Sequence, residues 1–179
     1  MNLPNLITLL RILLVPLIIW LIIAGQFWLA FVFFIVAGIS DGVEGYIAKH
    51  FQLTTELGAY LDPIADKLLL VSIYLSLGLL QYIPAWLVIL VATRDVLIVG
   101  AVLLARVLDR PVVVQPLMIS KINTTGQILL AGVVLGALGF GFADHDLLQI
   151  GYFAVGALTI ASGGAYLRSW IAHMANGSH

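Results

Sequence analysis

Six windows of about 20 predominantly apolar residues, the length that crosses a bilayer as a helix, follow one another along this chain. They lie at roughly 5–24, 28–48, 59–80, 84–107, 117–140 and 147–168, separated by short polar breaks. No other feature restricts the fold as much. In lipid every backbone N–H and C=O must be bonded within the protein, which leaves only helices and closed barrels. A barrel needs sustained alternation of apolar and polar residues, and that alternation is weak here. The expectation is an all-α, polytopic membrane protein with six transmembrane helices, forming a single domain over residues 1–179. Charge supports it: only 9% of residues are charged and 62% are hydrophobic, whereas a soluble domain carries roughly 25% charged residues. The apolar stretch 13–24 lacks a basic lead-in and a clear cleavage site, so it reads as a retained helix rather than a signal peptide.

An even number of spans puts both termini on one side. Lys49, Arg106, Arg110 and Arg168 then fall at helix ends on that side, with Lys67 and Lys121 within a few turns of it, while the opposite loops carry no Lys or Arg. The positive-inside rule makes the termini and the 49–58 and 108–116 loops cytoplasmic, and the expected location is the cell inner membrane. Trp20, Trp28, Trp86 and Trp170 lie near span ends, as an aromatic belt requires. Recurrent glycines, including Gly132, Gly136, Gly139, Gly151 and Gly156, permit close helix packing. The absence of cysteine excludes disulfides, thiolate catalysis and sulfur-ligated metals. A net charge of −1 gives no reason to expect nucleic acid.

The chemistry-bearing residues are acids. Asp41 and Glu44 are three apart near the end of the second window, and Asp62 and Asp66 are four apart near the start of the third. Each pair shares one helix face. Asp41 precedes Lys49, and Asp66 follows Gly58, by the same number of residues, so both sit about 12 Å below the same helix ends. Four carboxylates can therefore converge at one depth, in a pocket open to the cytoplasm. Ionisable residues inside a membrane are costly and functional by default. Oxygen-only ligands suit Mg²⁺, Mn²⁺ or Ca²⁺, and two such ions can clamp a pyrophosphate. Gly42, Gly45 and Gly58 let a phosphate or nucleotide approach the backbone. The bland alternative is interhelical ion pairing with Lys49, Lys67 or Arg94. A transporter or channel would spread its acids along the membrane normal, and this chain does not.

Taken together, these residues read Asp-x2-Glu-Gly-x2-Ala-Lys-x8-Gly-x3-Asp-x3-Asp over Asp41–Asp66. That pattern resembles the signature of the CDP-alcohol phosphatidyltransferase family, from which it departs at two positions. Glu44 stands for an aspartate, moving the carboxylate out by one methylene. Lys49 stands for an arginine, keeping charge but losing the planar fork. The resemblance implies an enzyme that transfers a phosphatidyl group from CDP-diacylglycerol to an alcohol and releases CMP. By the same resemblance, Asp41, Glu44, Asp62 and Asp66 hold two divalent ions, Mg²⁺ or Mn²⁺. Asp66 is also the general base. Gly42, Gly45, Ala48, Lys49 and Gly58 line the CDP site. A homodimer is expected on this ground alone.

The acceptor is read from the flanks. Residues 3–11, LPNLITLLR, are similar to both the phosphatidylglycerophosphate synthase and the cardiolipin synthase branches of that family. Thr93-Arg94-Asp95, Ile119-Ser120-Lys121-Ile122-Asn123 and Ser162-Gly163-Gly164 resemble the cardiolipin branch more closely. Its acceptor is phosphatidylglycerol; the alternative acceptor is glycerol 3-phosphate. Arg94, Lys121 and Asn123 are the candidate acceptor-binding residues. Arg11, the only cation of the first window, reads either as an interfacial anchor or as a contact for a lipid phosphate.

Overall fold

The computed structural model describes residues 3–50, 56–107 and 118–176, with side chains described at 7–45, 50, 64–98, 100 and 118–168. Within them the chain is all helix. In chain order the elements are α1 (Leu3–Ile23), α2 (Phe27–His50), α3 (Glu56–Leu79), α4 (Ala85–Val107), α5 (Met118–Phe140) and α6 (His145–Asn176). They match the six windows to within a few residues, except that α6 runs on to Asn176 because no glycine or proline interrupts 169–176.

By length and apolarity, three helices rather than six qualify as membrane spans among the described residues: Phe27–Gly45, Met118–Phe140 and His145–Arg168, with Ile7–Ile23 a shorter apolar helix. α3 and α4 carry Asp62, Asp66 and Lys67, and Arg94 and Asp95, inside their length. Together these segments make the chain an integral membrane protein.

The three turns at one end are built alike. At Gly25 (φ 73°), Gln26 N–H donates to Leu21 C=O at 2.8 Å and Gly25 N–H to Ile22 C=O at 3.1 Å. At Gln81 (φ 64°), Tyr82 N–H donates to Leu77 C=O at 2.9 Å and Gln81 N–H to Gly78 C=O at 3.0 Å. At Gly141 (φ 73°), Phe142 N–H donates to Ala137 C=O at 3.0 Å. These are left-handed helix C-caps that occupy carbonyls the helix end would leave unbonded. Asp144 then caps α6, its Oδ1 accepting from the N–H groups of Asp146 at 3.0 Å and Leu147 at 3.3 Å.

Among the described residues, the helices pack as a ring. α1 lies against α2 and α3, α2 against α5, α5 against α6, α6 against α4, and α4 against α3, while α3 and α5 also meet across the middle. The core between them is apolar, with Ile18, Ile22, Ile73, Leu77, Leu87, Val91, Val134 and Leu135 buried. Leu13, Trp20, Ile23, Ile39, Leu129, Phe153 and Ile160 point outward. Such an outward apolar surface suits lipid. Glycine packing is selective. A Cβ at Gly139 would meet the Trp28 backbone at 2.9 Å and one at Gly156 the Trp86 ring at 2.7 Å, whereas Gly38, Gly42 and Gly45 face open space.

Candidate functional site

α2 and α3 each bring carboxylates toward α1, and they converge on one cation. Arg11 is buried, with 1% of its surface exposed. One guanidinium nitrogen, Nη2, donates to Glu44 Oε2 at 2.9 Å and is ion-paired with Asp41 Oδ1 at 2.9 Å. The other, Nη1, donates to Asp66 Oδ1 at 2.6 Å. Thr8, one turn earlier on α1, donates its hydroxyl to Glu44 Oε1 at 2.6 Å. Glu44 is thus held at both oxygens and buried, while the side chains of Asp41 and Asp66 are half-exposed. The helical spacing that put Asp41 beside Glu44, and the packing of both α2 and α3 against α1, assemble three of the four predicted acids. Asp62, Ala48, Lys49 and Gly58 lie at positions whose side chains are outside the described residues.

Sequence reasoning missed Arg11 as the partner of these acids. It sits 30 residues from Asp41 and 55 from Asp66 in the chain, so no periodicity links them. The signal that was available is its solitude: a lone cation in an apolar helix needs a partner.

Asp41 and Asp66 open onto a cavity of about 380 Å³ between α1, α2, α3 and α5. Arg11, Asp41, Asp66, Lys67 and Thr124 form its polar part. Phe34, Ile35, Ile39, Leu69, Leu70 and Ile128 form the rest. Gly38 also lines it, and Gly42 and Gly45 lie on the same helix in open space.

A second charged cluster adjoins the first. Lys67 Nζ donates to Asp95 Oδ2 at 2.8 Å, and Arg94 Nη1 donates to Asp95 Oδ1 at 2.6 Å. Arg94 Nη2 donates to Ser162 at 2.8 Å and also to Ser120. Its guanidinium carbon stands 6.0 Å from the centre of the Tyr166 ring. Arg94 and Asp95 are both buried. Of the predicted acceptor-binding residues, none lines the cavity. Arg94 is committed to its network. Asn123 is fully buried and accepts the Thr159 hydroxyl at 2.9 Å. Lys121 is exposed on the first turn of α5.

The donor set around Arg11 is carboxylate only, which fits a hard divalent ion. Among the described residues no three acids are grouped closely enough to ligate one. Arg11 lies between them and supplies the countercharge that an ion would otherwise supply.

The comparisons agree with this geometry. A family model described as CDP-alcohol phosphatidyltransferase matches residues 1–164. The chain is similar to a probable cardiolipin synthase (CMP-forming) of Drosophila melanogaster, 33% identical over 183 residues that cover 93% of this chain and 57% of that protein. It is similar to a cardiolipin synthase (CMP-forming) of Homo sapiens, 33% identical over 181 residues, 92% of this chain and 60% of that one. It is also similar to a CDP-diacylglycerol–glycerol-3-phosphate 3-phosphatidyltransferase of Bacillus subtilis (strain 168), 31% identical over 186 residues, 94% and 95% of the two chains. This chain therefore spans less than two thirds of the length of the first two relatives and nearly all of the third. The family uses divalent cations in general, consistent with an all-oxygen donor set. With the match extending from residue 1 to residue 164 and three signature acids gathered around Arg11, the chain belongs to the CDP-alcohol phosphatidyltransferase family.

Proposed function

We propose that the chain is a CMP-forming cardiolipin synthase, transferring a phosphatidyl group from CDP-diacylglycerol to phosphatidylglycerol. The observation that carries this reading is the character of the cavity: two signature acids, Asp41 and Asp66, at its polar end, with Glu44 buried behind them on Arg11, and otherwise mostly apolar walls. Glycerol 3-phosphate is a small dianion that wants several cations. Only two described cations line this cavity, Arg11 and Lys67, and Arg11 is already faced by three carboxylates. A lipid acceptor with one phosphodiester needs fewer charges and an apolar wall. The second reading, a phosphatidylglycerophosphate synthase, is favoured by the nearly full-length match to the Bacillus subtilis relative.

In this reading the acceptor hydroxyl attacks the phosphatidyl phosphorus, the bond from that phosphorus to the bridging oxygen of CMP breaks, and CMP leaves with the electron pair. Asp66 takes the hydroxyl proton; its half-exposed carboxylate lines the cavity, and a base must stand within hydrogen-bond reach of the proton it removes. Asp41, Glu44, Asp62 and Asp66 would hold divalent metal, Mg²⁺ or Mn²⁺ and two ions, whose chemistry is to neutralise the pyrophosphate charge. Gly42, Gly45, Ala48, Lys49 and Gly58 would border the CDP moiety. The open space at Gly42 and Gly45 leaves room for it. The six helices all span the inner membrane, with termini and site cytoplasmic, and the unit is a single domain that acts as a homodimer.

The test supplies phosphatidylglycerol or glycerol 3-phosphate separately to purified protein with labelled CDP-diacylglycerol and Mg²⁺. Labelled cardiolipin with the first acceptor is the expected product. Product with glycerol 3-phosphate alone sinks the cardiolipin reading and supports the second one.

A further inference from the structure

Neighbouring residues of α3 point to different clusters. Asp66 faces Arg11 of α1, and Lys67 faces Asp95 of α4, yet both line the same cavity. The two clusters differ in sign. Arg11 with Asp41, Glu44 and Asp66 sums to one positive and three negative charges. Lys67 and Arg94 around Asp95 sum to two positive and one negative. A positive excess beside the proton acceptor is a place for an oxyanion. Arg94 does not serve it, because it is buried away from the cavity and both of its terminal guanidinium nitrogens are engaged by Asp95, Ser120 and Ser162. Lys67 can. An ammonium has three N–H donors, Asp95 takes one at 2.8 Å, and the side chain borders the cavity.

We propose that Lys67 binds the phosphate of the acceptor alcohol and that Asp95, anchored by Arg94, is the positioning residue that aims it. The proposal rests on the transferase reading above. Both candidate acceptors share the relevant chemistry: a glycerol whose reacting hydroxyl is on one end carbon and whose phosphate is on the other. A hydroxyl at Asp66 therefore sets its own phosphate a short distance away in the cavity that both side chains line. The site recognises a glycerol phosphate, monoester or diester, and leaves the choice between them to the apolar walls.

The experiment measures steady-state kinetics with each acceptor for wild type, Lys67→Gln, Lys67→Arg and Asp95→Asn, varying acceptor and CDP-diacylglycerol independently. Losing one charge-assisted hydrogen bond raises KM for the acceptor about 10- to 100-fold in Lys67→Gln. KM for CDP-diacylglycerol stays within about threefold, since uniform binding of the other substrate is untouched. Lys67→Arg restores most of the loss, and Asp95→Asn shifts the acceptor KM in the same direction as Lys67→Gln. An unchanged acceptor KM, or a rise confined to CDP-diacylglycerol, overturns the proposal. Should Lys67→Gln fail to fold, Asp95→Asn, which leaves the ammonium in place, decides by the same split. A wild type inactive with both acceptors sinks the transferase reading instead. The phosphate site is then judged by whether inorganic phosphate raises the thermal midpoint of wild type and not of Lys67→Gln.

Discussion

Arg11 and Glu44 form the tightest part of the acidic site, and each carries a consequence. Arg11 holds three carboxylates that would otherwise face one another, and like charges at that range strongly oppose joint ionisation. On the proposed reading, a divalent ion and the guanidinium would be alternative countercharges for the same acids. Arg11→Gln is expected to lower the thermal midpoint in EDTA and to recover more than wild type does when Mn²⁺ is added. Equal Mn²⁺ stabilisation of both proteins would show that Arg11 and the ion do not compete. Glu44 departs from the family signature, but its extra methylene is used: one oxygen accepts from Thr8 at 2.6 Å and the other from Arg11 at 2.9 Å. Shortening it to the family's aspartate withdraws the carboxylate from at least one of these donors. Glu44→Asp is expected to reduce CMP release about tenfold, the cost of one hydrogen bond to a charged group; higher turnover would mark Glu44 as a defect. The acids were legible in the sequence because helical spacing places them on shared faces. Arg11 was not, because contact across three helices leaves no periodic trace. The contact of Asn123 with Thr159 on α6 was equally hidden, because a polar residue near a helix end carries no sign of its partner on another helix.

Among the elements, the six apolar windows gave the helices, and the turns explain their limits. Gly25 and Gly141 take the left-handed conformation without steric penalty, while Gln81 takes it with a Cβ, at about 1–2 kcal/mol. The glycines of α5 were read as equivalent packing residues, and the structure separates them. A methyl at Gly132 would touch a Phe34 ring carbon at 3.4 Å, an ordinary contact with a movable side chain. A methyl at Gly139 would stand 2.9 Å from the Trp28 backbone, at the start of α2. Gly139→Ala is therefore expected to cost about 1–3 kcal/mol, the range for overpacking, and Gly132→Ala far less. Thermal unfolding of both variants in one detergent checks the order; equal midpoints would refute it. Sequence spacing alone could not rank them, because small residues at helical intervals look the same whether a backbone or a ring end lies opposite.

For the molecule as a whole, the open question is whether α3 and α4 cross the bilayer despite the charges they carry. The structure gives a reason to expect it. The described charged residues do not face lipid: Arg94 and Asp95 are buried against each other, and Lys67 and Asp66 turn toward partners and cavity. A charge satisfied inside the bundle escapes most of the cost of the hydrocarbon. Both helices are also long enough, at 24 and 23 residues, or about 35 Å at 1.5 Å per residue. The chain contains no cysteine, so single introduced cysteines report sidedness cleanly. His50 ends α2, Leu80 lies in the turn after α3, and Ala143 lies in the turn before α6; all three positions are exposed. With six spans, a membrane-impermeant maleimide labels His50→Cys from one face of sealed vesicles, and Leu80→Cys and Ala143→Cys from the other. If only α2, α5 and α6 crossed among helices α2 to α6, Ala143→Cys would still label opposite His50→Cys, but Leu80→Cys would label with His50→Cys. Position 80 thus separates the two topologies, and labelling there from the His50 face would withdraw the six-span reading while leaving the acidic site in place.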